Sequence, residues 1–133
     1  MTETAPILLW FRRDLRLADH PAVAEAARSG RPVIPVFLHD ECVDGLGAAP
    51  KFRLGLGVAA FADRLREKDS RLTLRRGRAL PTLRKLVEET GATSVWWTRL
   101  YDPDAKARDT AVKAALNEDG IEARSFPGHL LFE

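Results

Sequence analysis

Charged and aromatic side chains that could hold a ligand cluster directly after three apolar runs of this sequence. They are, in chain order, Arg12, Arg13 and Asp14, then His39 and Asp40, then Tyr101 and Asp102. Guanidinium groups pair with anions, carboxylates accept hydrogen bonds from heterocycles, and aromatic rings stack on flat molecules. If the apolar runs are neighbouring parallel strands, their carboxyl ends lie at the same edge of a sheet. The sequence therefore predicts a binding crevice at that edge.

Motifs that would support bond chemistry are not found in the sequence. There is no phosphate-binding Walker loop, no nucleophile elbow, no zinc-protease signature and only one cysteine, Cys42. The glycine-rich stretch 45–50 lacks the third glycine of a dinucleotide fingerprint. The histidines, His20, His39 and His129, are far apart and are expected to have loop or surface roles. We therefore expect no catalytic residue and no metal site.

Alternation of short apolar runs with helical patterns predicts the elements that position these side chains. Strands are expected at 6–11, 32–38, 72–74, 94–97 and 121–126. The first runs do not alternate polar with apolar residues, as expected for strands covered on both faces. The predicted fold is one α/β domain over 1–133, with a doubly wound, Rossmann-like, five-stranded parallel sheet of order 3-2-1-4-5 and helices on both faces.

Local signals predict where the helices begin, end and bury their side chains. Asp19 is expected to cap a first helix that closes at Gly30, and Asp102 to cap a last helix that closes at Gly120. A loop is expected over 39–50, a helix over 51–68, and another helix that ends at Gly91. The expected buried positions are Val23, Ala24, Ala26 and Ala27 in the first helix; Leu54, Val58, Phe61 and Leu65 in the second; and Ala107, Ala111, Ala114 and Ala115 in the last. The tryptophans Trp10, Trp96 and Trp97 are expected in the core.

Composition sets the class of protein. The chain has 133 residues, 45% of them hydrophobic and 30% charged, and a net charge of +2. No apolar run approaches the roughly 20 residues that span a bilayer, and the first residues do not resemble a signal peptide, so we expect a cytoplasmic protein without membrane contact. Residues 51–88 carry eleven Lys or Arg against four Asp or Glu, which indicates either a nucleic-acid face or solvated helix surfaces.

Several segments resemble the DNA photolyase/cryptochrome family, in that family's order. They are WFRRDLRLAD at 10–19, VFLHDE at 36–41, LRRG at 74–77, VWWTRLYDP at 95–103 and GHLLFE at 128–133. The resemblance implies the N-terminal α/β domain, which holds an antenna pigment, whereas FAD belongs to a helical domain absent from this sequence. It implies light-driven repair of cyclobutane pyrimidine dimers in DNA by the full-length protein, with no repair expected from this domain alone. A stand-alone α/β module that binds a nucleotide or partner, or a cryptochrome photoreceptor domain, remains the alternative.

The same resemblance implies a set of pigment contacts. Carried over by position, they are Arg13, Phe37, Asp40, Arg53, Tyr101 and Asp102. The pigment would be a methenyl folate, a deazaflavin or FMN, and the departure from the family pattern at Pro50-Lys51-Phe52 leaves its identity open. Other roles compete with ligand contact: a core role for Phe37, and helix capping for Asp102. The arginines of the first turn, Arg12, Arg13 and Arg16, would either neutralise Asp14 and Asp19 or contact the helical domain. The helical domain would cover an apolar patch that includes Leu130, Leu131 and Phe132.

Overall fold

A computed structural model describes residues 5–128 and shows a single parallel sheet between two helical layers. The elements in chain order are β1 Ile7–Phe11, α1 Pro21–Ser29, β2 Val33–His39, α2 Glu41–Asp44, α3 Ala48–Glu67, β3 Thr73–Arg76, α4 Ala79–Thr90, β4 Ser94–Thr98, α5 Pro103–Glu118 and β5 Glu122–Phe126. The strand order is β3-β2-β1-β4-β5, and every pairing is parallel. The predicted fold class and strand order are therefore confirmed.

Two hydrophobic cores, one on each face, explain why β1 shows no polar alternation. Leu8 and Trp10 point to the face covered by α4 and α5, whereas Leu9 and Phe11 point to the face covered by α1 and α3. Because successive side chains of a strand alternate between faces, a strand buried on both sides must be apolar throughout. All five residues of β1 are buried.

The connections that follow β1 and β4 leave the sheet on opposite sides. β1 leads into α1, whose Ala22 and Ala26 belong to one core, and β4 leads into α5, whose Val112 and Leu116 belong to the other. Such a reversal opens a crevice beyond the carboxyl ends of the two strands. The fold thus places the turns after β1, β2 and β4 at one edge, as the sequence indicated.

The first two connections differ in detail from the prediction. The N-cap of α1 is His20, whose imidazole accepts a hydrogen bond from the Val23 N–H at 3.3 Å, so the expected Asp19 cap is wrong by one residue. Asp19 instead occupies the left-handed region with φ 54°. The loop predicted over 39–50 contains the short helix α2, and α3 begins at Ala48, three residues before its predicted start.

The buried face of α5 was also predicted wrongly. Ala107, Ala111 and Ala114 are exposed, and the buried positions are Ala105, Asp109, Val112 and Leu116. In α1, likewise, Ala24 and Ala27 are exposed. The four buried positions of α5 are spaced by four, three and four residues, as expected for one face of a helix. A search for apolar residues at this spacing overlooks the face because one of its positions, Asp109, is a carboxylate. That carboxylate belongs to the site described below.

Other predicted features of the fold are confirmed. Trp10, Trp96 and Trp97 are all buried in the core. Gly30 and Gly91 end α1 and α4 in the left-handed conformation, each with φ 73°. Within residues 5–128, no helix is long and apolar enough to cross a membrane. The expected apolar patch at Leu130, Leu131 and Phe132 lies outside the described residues, as does His129.

Candidate functional site

A buried network of two arginines and two aspartates closes the floor of the crevice. Arg12, after β1, donates from Nη1 to Asp109 of α5 at 3.0 Å and from Nη2 to the carbonyl oxygen of Thr98. Arg108 donates from Nε to Asp109 at 2.9 Å and from Nη1 to Asp40, after β2, at 3.0 Å. Arg108 Nη1 also lies 3.3 Å from Glu41, and together these contacts tie α5 to the turns after β1 and β2.

Trp10 forms the base on which both guanidinium groups rest. The guanidinium carbon of Arg12 lies 4.5 Å from the Trp10 ring centroid, and that of Arg108 lies 5.1 Å away. Aromatic faces attract cations, and the attraction strengthens where water is excluded. Burial alone would lower the pKa of Arg108, but the carboxylates of Asp40 and Asp109 raise it above its ordinary value, so the group stays charged.

Asp40 uses both carboxylate oxygens within the chain. Oδ1 accepts hydrogen bonds from the N–H groups of Cys42 and Val43, which caps α2, and Oδ2 accepts from Arg108. The side chain is buried, with 2% of its surface exposed. Asp40 therefore fixes the shape of the crevice, with both of its carboxylate oxygens already engaged by groups of the chain. The neighbouring Cys42 thiol has a raised pKa because of burial, which disfavours the nucleophilic thiolate.

An exposed ion pair, Arg13 with Asp102, spans the outer edge of the crevice. The two Arg13 Nη atoms donate to the two Asp102 oxygens at 3.0 and 3.3 Å. Asp102 occupies the N-cap position of α5, but its side chain makes no capping hydrogen bond, so the expected capping role is wrong. Burial would raise the pKa of Asp102, but the hydrogen bonds from Arg13 and from its own backbone N–H, with the charges of Arg13 and Arg12, together hold it below its ordinary value.

The turn after β1 is fixed by a second carboxylate. Asp14 accepts a hydrogen bond from the Arg12 N–H at 2.8 Å, and its other oxygen lies 2.6 Å from Nε2 of His20. His20 is buried and caps α1 through its other ring nitrogen. Burial opposes the charge on Asp14, but these hydrogen bonds lower its pKa. The Asp14 side chain thus pairs with His20 and not with an arginine side chain of the described residues.

Openings along this edge of the sheet, within residues 5–128, include two large cavities beside β4, one beside β3 and a small crevice at the centre. The β2–β3 cavity, of about 450 Å³, is lined by Phe37, His39, Val43, Lys51, Leu54, Gly55, Val58, Leu74, Arg75 and Arg76. The central crevice, of about 30 Å³, reaches Arg13, Asp40 and Arg108 and shares Phe37, Val43 and Leu54 with that cavity. The β1–β4 cavity, of about 320 Å³, is lined by residues that include Arg13, Tyr101 and Asp102. The β4–β5 cavity, of about 340 Å³, includes Arg99, Lys106, Lys113 and Ser125.

The six predicted contact residues therefore do not share one cavity. Phe37 and Asp40 line the central crevice, Tyr101 and Asp102 line the β1–β4 cavity, and Arg13 borders both. Arg53 lies exposed on α3 and lines none of these four openings. Phe37 is buried, so its core role is confirmed, although it also forms a wall of two openings.

Sequence reasoning missed the two residues that organise the floor. Asp109 and Arg108 lie on a helix far along the chain from Arg12, and no spacing rule joins them. The sequence offered little signal, because adjacent basic and acidic residues also occur at Arg13-Asp14, Asp63-Arg64 and Lys68-Asp69. Among residues 5–128, no group of three or more His, Cys, Asp or Glu side chains is arranged to hold a metal ion.

Comparison with known proteins identifies the family of this chain. The family model described as DNA photolyase matches residues 7–133. The chain belongs to the DNA photolyase family. It is 44% identical over 131 residues to the deoxyribodipyrimidine photo-lyase of Agrobacterium fabrum, covering 98% of this chain and 27% of the relative. It is 38% identical over 130 residues to cryptochrome-2 of Arabidopsis thaliana, covering 95% of this chain and 21% of the relative.

Solved structures of photolyases show the same domain. A bacterial class III photolyase from Agrobacterium tumefaciens aligns with a TM-score of 0.89 and 42% identity over 98% of this chain and 27% of its own. An archaeal photolyase from Sulfolobus tokodaii, solved with two FAD molecules, aligns with a TM-score of 0.80 and 27% identity over 95% of this chain and 30% of its own. The chain has the fold of the photolyase N-terminal α/β domain and spans about a quarter of the length of these relatives.

Proposed function

We propose that this domain holds an antenna pigment in the β2–β3 cavity of a light-driven flavoprotein. In the longer protein, the pigment would pass its excitation to a reduced FAD in a helical domain. That FAD would donate an electron to a cyclobutane pyrimidine dimer in DNA and so split it. The residues of the present chain would bind and orient the pigment. We assign them no part in the bond chemistry.

The observation that carries this proposal is the combination of size, lining and rim in one cavity. Its volume of about 450 Å³ falls in the range of ligand pockets, which is roughly 300–1,000 Å³. Phe37, Leu54 and Val58 supply apolar walls, on which a flat heterocycle can pack. Lys51, Arg75 and Arg76 surround it with positive charge.

The basic rim favours a pigment with an anionic tail. Arg75 pairs with Glu89 at 3.1 Å, whereas Arg76 forms no ion pair with the described residues. A carboxylate or phosphate tail would therefore find a free guanidinium beside the apolar walls. A methenyl folate with its glutamate tail and FMN both fit this description, and a deazaflavin with an anionic tail also does. FAD joins these candidates because the Sulfolobus tokodaii structure, with its two FAD molecules, is described as implying a novel light-harvesting cofactor.

The inner end of the cavity connects the pigment to part of the predicted contact set. Phe37 lines both the cavity and the central crevice, which leads to Arg13 and Asp40. A ring packed on Phe37 would lie beside these groups. Tyr101 and Asp102 border the β1–β4 cavity, so they would contact only a pigment that extends past Arg13. Arg53 falls outside the proposed site.

Two exposed leucines provide a matched test of the cavity. Leu74 lines it and is 54% exposed, whereas Leu56 lies on α3 outside it and is 57% exposed. The chain is titrated with methenyltetrahydrofolate, a deazaflavin, FMN and FAD, and pigment fluorescence is recorded. Leu74→Glu should weaken binding about ten-fold or more, because it replaces apolar contact with a charge that repels an anionic tail.

Leu56→Glu serves as the control and should retain the affinity of the unsubstituted chain. Each variant adds one carboxylate at a surface position, so a general effect of charge or stability would appear in both. Equal weakening by both substitutions, or no saturable binding of any of the four pigments, would overturn the proposal. Binding of a nucleotide that absorbs no near-ultraviolet or blue light, without pigment binding, would favour the stand-alone module instead.

A further inference from the structure

The β4–β5 cavity brings three cations together without a carboxylate to neutralise them. Arg99 follows β4, and Lys106 and Lys113 lie on the same side of α5. None of the three forms an ion pair with the residues at 5–128. The one carboxylate in the lining, Asp109, is held by Arg12 and Arg108. The cavity therefore carries a net positive charge.

A single hydroxyl group marks the point at which two of these cations converge. Ser125 Oγ, on β5, accepts a hydrogen bond from Arg99 Nε at 3.2 Å and another from Lys113 Nζ at 3.4 Å. Like charges repel, and this repulsion is strongest where water is partly excluded. Lys113 and Ser125 are both half-buried. The arrangement is therefore one in which a bound anion would relieve repulsion as well as gain hydrogen bonds.

We propose that the β4–β5 cavity binds a phosphoryl group. A tetrahedral dianion has enough charge and acceptor oxygens to engage Arg99, Lys106 and Lys113 together, and the Ser125 hydroxyl can donate to it as well. A carboxylate, with a single charge and two oxygens, would leave part of this set unused. The volume of about 340 Å³ accommodates free phosphate and also the phosphate of a nucleoside monophosphate.

The site is independent of the proposed pigment cavity. The β2–β3 cavity lies at the other end of the sheet, beside β3 and α3, and the two cavities share no lining residue. Either proposal can therefore fail while the other holds.

Amide chemical shifts of the isotopically labelled chain provide the test. Inorganic phosphate, AMP and adenosine are added separately at constant ionic strength, and two-dimensional nitrogen–proton spectra are recorded. Phosphate and AMP should give saturable shifts at the amides of Arg99, Lys106 and Ser125, and adenosine should not. Tighter binding of AMP would indicate a nucleotide as the source of the phosphoryl group, and equal binding would indicate phosphate itself.

Charge-neutral variants separate a specific site from general attraction to a basic protein. Lys113→Gln should weaken phosphate binding about ten-fold, because glutamine keeps a donor but loses the charge. Lys106→Gln, at an exposed position, provides a second variant that should fold without difficulty. Lys85→Gln, on the exposed side of α4, is the control and should bind as the unsubstituted chain does. The absence of saturable shifts, or equal effects of Lys85→Gln and both cavity variants, would overturn the proposal.

Discussion

Two Arg–Asp pairs in this domain have the same length but lie in different surroundings, and their replacement should give different losses of stability. Arg12 lies 3.0 Å from Asp109 with side chains only 6% and 10% exposed, and Arg13 lies 3.0 Å from Asp102 with side chains 54% and 44% exposed. Removing one partner of a buried pair leaves an unneutralised charge away from water. An exposed charge is resolvated when its partner is lost.

Asp109→Asn should therefore lower the free energy of unfolding by about 3–5 kcal/mol. The upper half of this range is expected because Asp109 holds both Arg12 and Arg108. Its loss leaves Arg12 without an ion pair among the described residues, whereas Arg108 keeps Asp40 and Glu41. Asp102→Asn should change the free energy of unfolding by less than about 1 kcal/mol. Asparagine keeps the size of the side chain, so cavity formation does not contribute in either variant.

Urea denaturation followed by tryptophan fluorescence measures both effects. Trp10 reports directly on the network because Arg12 and Arg108 lie over its ring. In a double-mutant cycle, Arg12→Met should lower the free energy of unfolding less in the Asp109→Asn background than in the unsubstituted chain, since the partner charge is already absent. If Asp109→Asn and Asp102→Asn prove equally mild, the network does not stabilise the floor of the crevice, and the reasoning from burial is refuted.

Two further predictions concern pH and backbone conformation. Hydrogen bonds from His20 and the Arg12 N–H help to lower the pKa of Asp14 in the folded chain, despite its burial. The unfolded chain therefore binds this proton more tightly than the folded chain does. The free energy of unfolding should fall as the pH drops from about 4 through the lowered pKa. Between pH 2 and about 5, the free energy of unfolding of Asp14→Asn should depend less on pH than that of the unsubstituted chain. The same pH dependence in both would contradict this prediction. Gly91→Ala should lower the free energy of unfolding by about 1–2 kcal/mol, because φ is 73° there. Gly55→Ala, in the interior of α3, should raise it by up to about 1 kcal/mol, because the added carbon meets nothing within 4 Å beyond its chain neighbours and the nearby backbone of α3. Thermal unfolding of both variants checks this, and a shift of the same sign in both would be inconsistent with the backbone argument.

The sequence determined the sheet, its strand order and the edge at which the polar turns after β1, β2 and β4 meet. Uninterrupted apolar runs such as Ile7–Phe11 require burial on both faces, and their alternation with helices leaves few topologies. The predicted ends at Gly30 and Gly91 hold for the same local reason, because only glycine adopts the left-handed conformation there at little cost. Apolar strands and glycine-ended helices are set by residues close together in the chain, so they can be predicted from the sequence.

Tertiary structure alone decided which polar side chains meet. Asp109 falls on the buried face of α5 because Arg12 and Arg108 supply opposite charges there, one from 97 residues away in the chain. The Asp102 side chain accepts hydrogen bonds from Arg13 and makes none to the first turn of α5, although its position predicted a cap. Burying a carboxylate costs free energy unless a partner neutralises it, and here one partner comes from a distant segment. The residues next to Asp109 in the sequence do not identify that partner.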